Sequence, residues 1–164
     1  MIAHRAASQA ELPDVTRFYR ANDCSAAVAP GDCMLIAQEE NEIVGVVRIC
    51  EEDSAVALRG MYVKPELQRR GLGSALLREA SQAIGVRSCY CVPYTHLQAF
   101  YSRFGFHTVE PGRTRGLLRR RRDQSRARGL DVVVMLRLAN RQPSPGIPAQ
   151  PIFQSPSGTS RWGP

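Results

Sequence analysis

The chain has 164 residues, 43% of them apolar, and carries a formal net charge of +7. That is one domain of ordinary size with enough apolar content to bury a core unaided, and no apolar run reaches membrane-spanning length. The first five residues meet charge at once, unlike a secretory leader, and five cysteines without a Cys-x-x-Cys pair suit free thiols rather than a disulfide framework or zinc site, so a cytoplasmic protein with no metal and no membrane partner is expected.

Residues 1–6 read as a short first strand. Ser8-Gln9-Ala10-Glu11 has the capping-box pattern of a helix start, and Leu12, Val15, Phe18 and Tyr19 give the following helix an apolar face. Pro13 is tolerated only in a first turn, which allows the start to fall near it. Residues 22–32 have no period: their alanines permit a short helix, while Pro30-Gly31 marks a turn. Residues 34–38 and 43–50 flank the acidic turn 39–42 and predict a hairpin; a second, through residues 51–54, leads into a strand over 55–63 that Lys64-Pro65-Glu66 ends. Leu72, Ala75, Leu76, Ala80 and Ala83 then recur at helical spacing, with Gly85 as the stop.

Residues 87–92 form the next predicted strand, with Cys89 and Cys91 two apart on one face and read as small core residues. Leu97, Phe100, Tyr101 and Phe104 make one apolar helical stripe that Gly105 terminates, and a strand over 106–110 follows. Residues 131–137 are nearly all apolar and are expected near the centre of the sheet; an exposed edge over 132–136 would let two copies pair as a homodimer. Residues 112–129 suit a helix and hold most of the positive excess, including Arg119-Arg120-Arg121-Arg122 against the single acid Asp123. Residues 1–138 are thus one domain and residues 139–164, rich in Pro, Ser and Gly, a disordered tail.

Gln68-Arg69-Arg70-Gly71-Leu72-Gly73-Ser74 joins the 55–63 strand to the helix after it. Two glycines remove side chains that would hold a ligand off the backbone, and the first-turn amides of the helix lack partners and carry positive dipole. An anion fits there, and the Arg69 and Arg70 guanidinium groups match phosphate oxygens. Leu76 stands where a dinucleotide fingerprint needs its third glycine, and no Gly-Lys-Ser/Thr follows, so neither nucleotide motif applies.

The segment resembles the Gln/Arg-x-x-Gly-x-Gly/Ala signature of GCN5-related N-acetyltransferases (GNATs). Phe100-Tyr101 with Gly105-Phe106 is similar to the ending of that family's late helix. The resemblance covers roughly residues 1–138 and implies an α+β fold: a mixed, largely antiparallel central sheet flanked by helices, the acyl-CoA N-acyltransferase fold. It implies acetyl-CoA as donor substrate, with the pyrophosphate over Gln68, Arg69, Arg70, Gly71, Leu72, Gly73 and Ser74. The pantetheine arm would lie along Met61, Tyr62 and Val63. Tyr101 would be the general acid that protonates the departing thiolate, and an amine of a small molecule or protein would attack the thioester directly.

Two departures from the family accompany these matches. At the positions where many relatives carry a glutamate base this chain has Ala57 and Cys89, so no catalytic base is assigned; Glu51, Glu52 and Glu110 read as solvated turn or strand-end charges. Tyr94 stands where relatives often carry an asparagine seven residues before the tyrosine. His96, alone at a helix start, reads as a surface or cap residue. Residues 113–128 read as a solvated basic helix closing one side of the acceptor cleft, or else as a site for an acidic acceptor, an acidic protein or RNA phosphates. Nucleic acid is the weaker partner because the segment lacks aromatics for base stacking. A CoA-binding regulatory module without transferase chemistry is the other alternative.

Overall fold

The computed structural model describes residues 1–139 apart from Ser25, Asp53, Ser54 and Arg115. Strands β1 (Ile2–Ala6), β2 (Cys33–Glu39), β3 (Glu42–Glu52), β4 (Ala55–Val63), β5 (Cys89–Cys91), β6 (His107–Thr108) and β7 (Met135–Arg137) form one sheet in the order β1-β2-β3-β4-β5-β7-β6. Every neighbouring pair is antiparallel except β4 and β5, so the expected mixed, largely antiparallel sheet is what forms. The turn read at residues 53–54 and the tail from residue 140 lie outside the described residues.

Among the described residues the α-helices are α1 (Leu12–Ala21), α2 (Leu72–Ile84), α3 (Gln98–Ser102) and α4 (Gly116–Ala127). Period-two alternation divides the strand side chains between them. On β2, Leu35 and Ala37 join Leu72, Leu76, Leu77, Ala80 and Ile84 of α2, whereas Met34 and Ile36 face Val15, Phe18 and Tyr19 of α1. Tyr101 of α3 and the fully buried Phe106 complete the α2 layer. Cys89 and Cys91 are buried in it as small core residues. Leu118 of α4 lies with Ala57 and Tyr90, which alternate away from α2, so α4 covers β4 and β5 on the opposite face.

The start signal before α1 works through one carboxylate. The Ser8 amide and hydroxyl both donate to Glu11 at 2.8 Å, and Arg5 closes on it at 2.6 Å. Arg5 and then Ser8 hold the Glu11 carboxyl at about 2. A short 3-10 turn over Gln9–Glu11 intervenes, and α1 begins at Leu12 with Pro13 in its first turn, where no helical amide is lost. The β2–β3 turn places Glu40 at φ +47° and Asn41 at φ +69°, the paired left-handed conformation that matches strand twist.

Three expectations are corrected at the far edge of the sheet. The 131–137 run forms a regular strand only over Met135–Arg137, and it is last but one rather than central. Its edges are not open for a second copy: β5 pairs one side and β6 the other, Val132 bridges Tyr94, and the Val133 and Val134 backbones bond Pro93 and Val109. The strands over 87–92 and 106–110 shorten to Cys89–Cys91 and His107–Thr108, just before Pro93 and Pro111, whose rings remove the donor that continued pairing would use.

Candidate active site

β4 and β5 stay in register for three pairs only, Val56–Leu58 against Cys89–Cys91. Past Leu58, the β5-facing edge of β4 has no strand partner among the described residues. A bulge in β4 bends it at this point: pairing passes from Val46 with Tyr62 to Arg48 with Arg59, so Val47 alone faces both Gly60 and Met61. Gly60 takes φ +57°, a left-handed conformation that side chains resist.

The bulge is tied to α1. Tyr19, 1% exposed, donates its hydroxyl to the Gly60 carbonyl at 2.5 Å, and the buried Arg48 guanidinium stands 5.9 Å from the Tyr19 ring centre. Arg48 is held by Asp32 at 2.9 Å and by the Ala27 carbonyl. Burial pushes the Tyr19 phenol well up and, with Asp32 beside it, raises the Cys50 thiol to about 12.

The parting strands open a cleft of about 550 Å³. Its walls include Gly60 and Met61 from β4, Tyr90 and Cys91 from β5, Tyr101 from α3, Arg121, Gln124 and Ser125 from α4, and Arg128 just after α4. Tyr101 is 6% exposed, its ring set edge-on against Phe100 (5.2 Å) and Phe106 (5.9 Å), and its hydroxyl donates to Met61 Sδ at 3.5 Å. Burial, and secondarily Cys91, pushes its pKa upward, so the phenol stays protonated at neutral pH.

Met61 links this cleft to the glycine loop. A Cβ on Gly73 would stand 3.4 Å from Met61 Cε and 3.6 Å from Phe100, so the first turn of α2 lies against the β4 edge. Gly71, φ +89°, is the N-cap, and Arg69 precedes it at φ +62°. The amides of Leu72, Gly73 and Ser74 have no acceptor among the described residues, and the first helical bond runs from Ala75 to Gly71. The Gln68 side chain turns inward and donates to the Val63 carbonyl at 2.9 Å, bracing the loop against the strand end. A second hollow of about 540 Å³ opens beside Ser74, lined by Arg78, Arg103 and Arg137. Sequence reasoning missed Arg78 and Arg103; Arg78 sits one helical turn after Ser74, a spacing that could have shown it.

A family profile described as an acetyltransferase (GNAT) domain matches residues 30–108, from before β2 through β6. Solved structures superpose over most of the chain. N-acetylglutamate synthase from Neisseria gonorrhoeae, complexed with coenzyme A and N-acetyl-glutamate, aligns at TM-score 0.61 and 16% identity over 86% of this chain and 36% of its own. This chain therefore spans about a third of that synthase. Escherichia coli ElaA aligns at TM-score 0.61 and 19% identity, over 84% of this chain and 99% of its own. PaiA N-acetyltransferase from Thermoplasma acidophilum, in complex with coenzyme A, aligns at TM-score 0.58 and 16% identity over the same shares. No curated protein matches the sequence. Residues 30–108 thus match a GNAT acetyltransferase domain, and the whole fold is that of solved acetyltransferases.

The two positions where the resemblance would put a glutamate base hold Ala57 and Cys89. Ala57 lines the cleft, whereas Cys89 is buried in the α2 layer with its thiol pushed up to about 11 by desolvation. Glu51 pairs with Arg87 at 2.7 Å, and the exposed Glu110 starts a 3-10 turn. Glu52 stands behind the wall, hydrogen-bonded to Arg59 at 2.9 Å and in an ion pair with Arg121 at 2.6 Å. Among the described residues no Asp, Glu or His lines the cleft. Tyr94 lines it at 45% exposure with His96 stacked outside, ring centres 5.6 Å apart. The arginine-rich helix forms one wall of the cleft. Among the described residues no cluster of three His, Cys, Asp or Glu could hold a metal, and no helix is long and apolar enough to cross a membrane.

Proposed function

We propose that the chain is an acetyl-CoA-dependent N-acetyltransferase in which an acceptor amine attacks the thioester directly. One observation carries this reading: the unpaired edge of β4 runs without interruption from the partnerless amides of α2, past Met61, to the Tyr101 hydroxyl. A ligand with a polyphosphate at one end, a thin amide-bearing arm and a thioester at the other suits that path. The Leu72, Gly73 and Ser74 amides with Arg69, Arg70 and Gly71 would take the pyrophosphate, the Met61, Tyr62 and Val63 backbone the arm; Gln68 would hold the loop in place.

The chemistry needs little from the protein beyond position. The nitrogen lone pair of a neutral amine attacks the thioester carbon, the carbon–sulfur bond breaks, and Tyr101 gives its proton to the thiolate sulfur. The proton shed by the new amide nitrogen returns to the phenolate through water, so Tyr101 ends the cycle as it began. Raising its pKa by burial keeps the acid loaded between turnovers.

The test is acetyl-CoA titration by calorimetry with two substitutions at one position. Gly71 stands at φ +89° with open space around it, so Gly71→Ala and Gly71→Glu share the backbone strain, and only the second adds a charge facing phosphate. Gly71→Glu should weaken binding by about tenfold or more relative to Gly71→Ala. Equal affinities, or a wild-type protein that binds no CoA thioester, would refute the reading.

A further inference from the structure

We infer that the acceptor is a small amine bearing an anionic acid group, held by the Arg128 and Arg121 guanidinium groups at the α4 wall of the cleft. This rests on the transferase reading and adds the substrate class to it. Arg59, Arg121 and Arg128 all line the cleft, and no carboxylate among the described residues does. The nearest acid, Glu52, is shared between Arg59 and Arg121. One carboxylate against three guanidinium groups leaves a positive excess facing the cavity. Arg128 is exposed, and its side chain has no hydrogen-bond or ion-pair partner among the described residues. Its neighbours on α4 are occupied elsewhere, Arg122 by Asp123 and Arg126 by the Val132 carbonyl. Asp131, between the lining residues Leu130 and Val132, accepts instead from the Thr95 hydroxyl.

A planar guanidinium fork presents paired donors that match carboxylate or phosphate oxygens, so an acid-bearing acceptor gains charge-assisted bonds here. A purely cationic amine meets only repulsion. The same arrangement answers the lack of a base. An ammonium brought into a cavity of positive sign loses its proton more readily, just as like charges lower the pKa of any cation beside them. The wall would therefore anchor the acid and help release the ammonium proton to water, delivering the neutral nitrogen that attack requires. Gln124 and Ser125, on the same stretch of α4, add neutral donors and acceptors around the acid.

The experiment is an acetyl-transfer panel on the full chain, following thiol release from acetyl-CoA. Acceptors are glycine and β-alanine with their methyl esters, O-phosphoethanolamine with ethanolamine, and spermidine. Esters are less basic and carry more neutral amine at a given pH, so any preference for the free acid reports binding. We expect kcat/KM at least tenfold higher for the acids than for their uncharged partners, and negligible rates with spermidine. The carboxylate and phosphate pairs separate the two anions, and a preference for either supports the inference. Arg128→Gln and Arg121→Gln should each raise KM for the acid and shrink the acid-to-ester ratio toward one, with acetyl-CoA affinity unchanged. Equal or better turnover of esters, ethanolamine or spermidine overturns the substrate class while leaving the transferase intact. Acetyl-CoA binding without turnover of any acid also overturns it. Failure to bind acetyl-CoA removes the transferase reading itself.

Discussion

A methyl group placed on Gly60 tests whether α1 holds the bulge that parts the sheet. The added Cβ would stand 2.7 Å from the Tyr19 hydroxyl and 3.1 Å from Arg48 Nε, and φ there is +57°. Left-handed backbone costs a residue with a side chain about 1–2 kcal/mol. Pushing the phenol off the Gly60 carbonyl strands a buried hydroxyl, which costs about 1–3 kcal/mol. Gly60→Ala should therefore destabilise by about 2–5 kcal/mol, while Tyr19→Phe, which leaves only the carbonyl unpaired, should lose about 1–2 kcal/mol. Because Phe removes the oxygen that the new methyl would strike, the double variant should be less unstable than the sum by about 1 kcal/mol or more. Urea unfolding of the four proteins completes the cycle, with the m-value checking that the transition is unchanged. Additivity within about 0.5 kcal/mol would show that Tyr19 and Gly60 are not coupled as described.

Further outcomes follow from the buried and paired groups. Tyr101→Phe should lower kcat by about 10²-fold or more and leave acetyl-CoA affinity near wild type, a split that steady-state kinetics with calorimetry would show. Burial raises the folded-state pKa of Tyr19 and Tyr101, so the native chain keeps phenolic protons that the unfolded chain releases near pH 10. Stability from both groups is present below pH 10 and falls as pH rises above it; absorbance at 295 nm should show two of the five tyrosines ionising only with unfolding. Glu11 behaves in the opposite sense: its carboxyl is held at about 2, below the ordinary 4.5, so its contribution is present above pH 4.5 and disappears toward pH 2. Glu11→Gln should flatten that part of the acid unfolding profile. Exposed Cys33 should react first with a thiol reagent at pH 8, and Cys50, Cys89 and Cys91, buried with raised pKa values, only on unfolding.

How far the chain could be read in advance depended on whether a property was local. α2 was bounded correctly at both ends because Gly71, the apolar spacing and Gly85 are signals within one segment, and β4 likewise ends where Pro65 follows it. The short strands past residue 87 were overextended, since apolar runs do not announce which residues find partners, and prolines at 93 and 111 cut the ladders. The bulge was invisible for the same reason. Gly60 looks like any strand glycine until Val47 is placed opposite it and Tyr19, forty-one residues earlier, reaches its carbonyl. The arginines of α4 were legible as charge, but which of them face the cleft is decided by the tertiary position of the helix, with Leu118 turned inward.

The three-residue pairing of β4 with β5 decides where the sheet is open. Unpaired strand edges normally invite other strands, which is a hazard on an outer rim. Here the open edge lies inside the sheet, between β4 and β5, where α4 forms one wall of the cleft, so it is set back from the outer rim. The gap thus presents its free backbone groups at an interior position of the sheet, beside the Tyr101 hydroxyl, rather than at a rim.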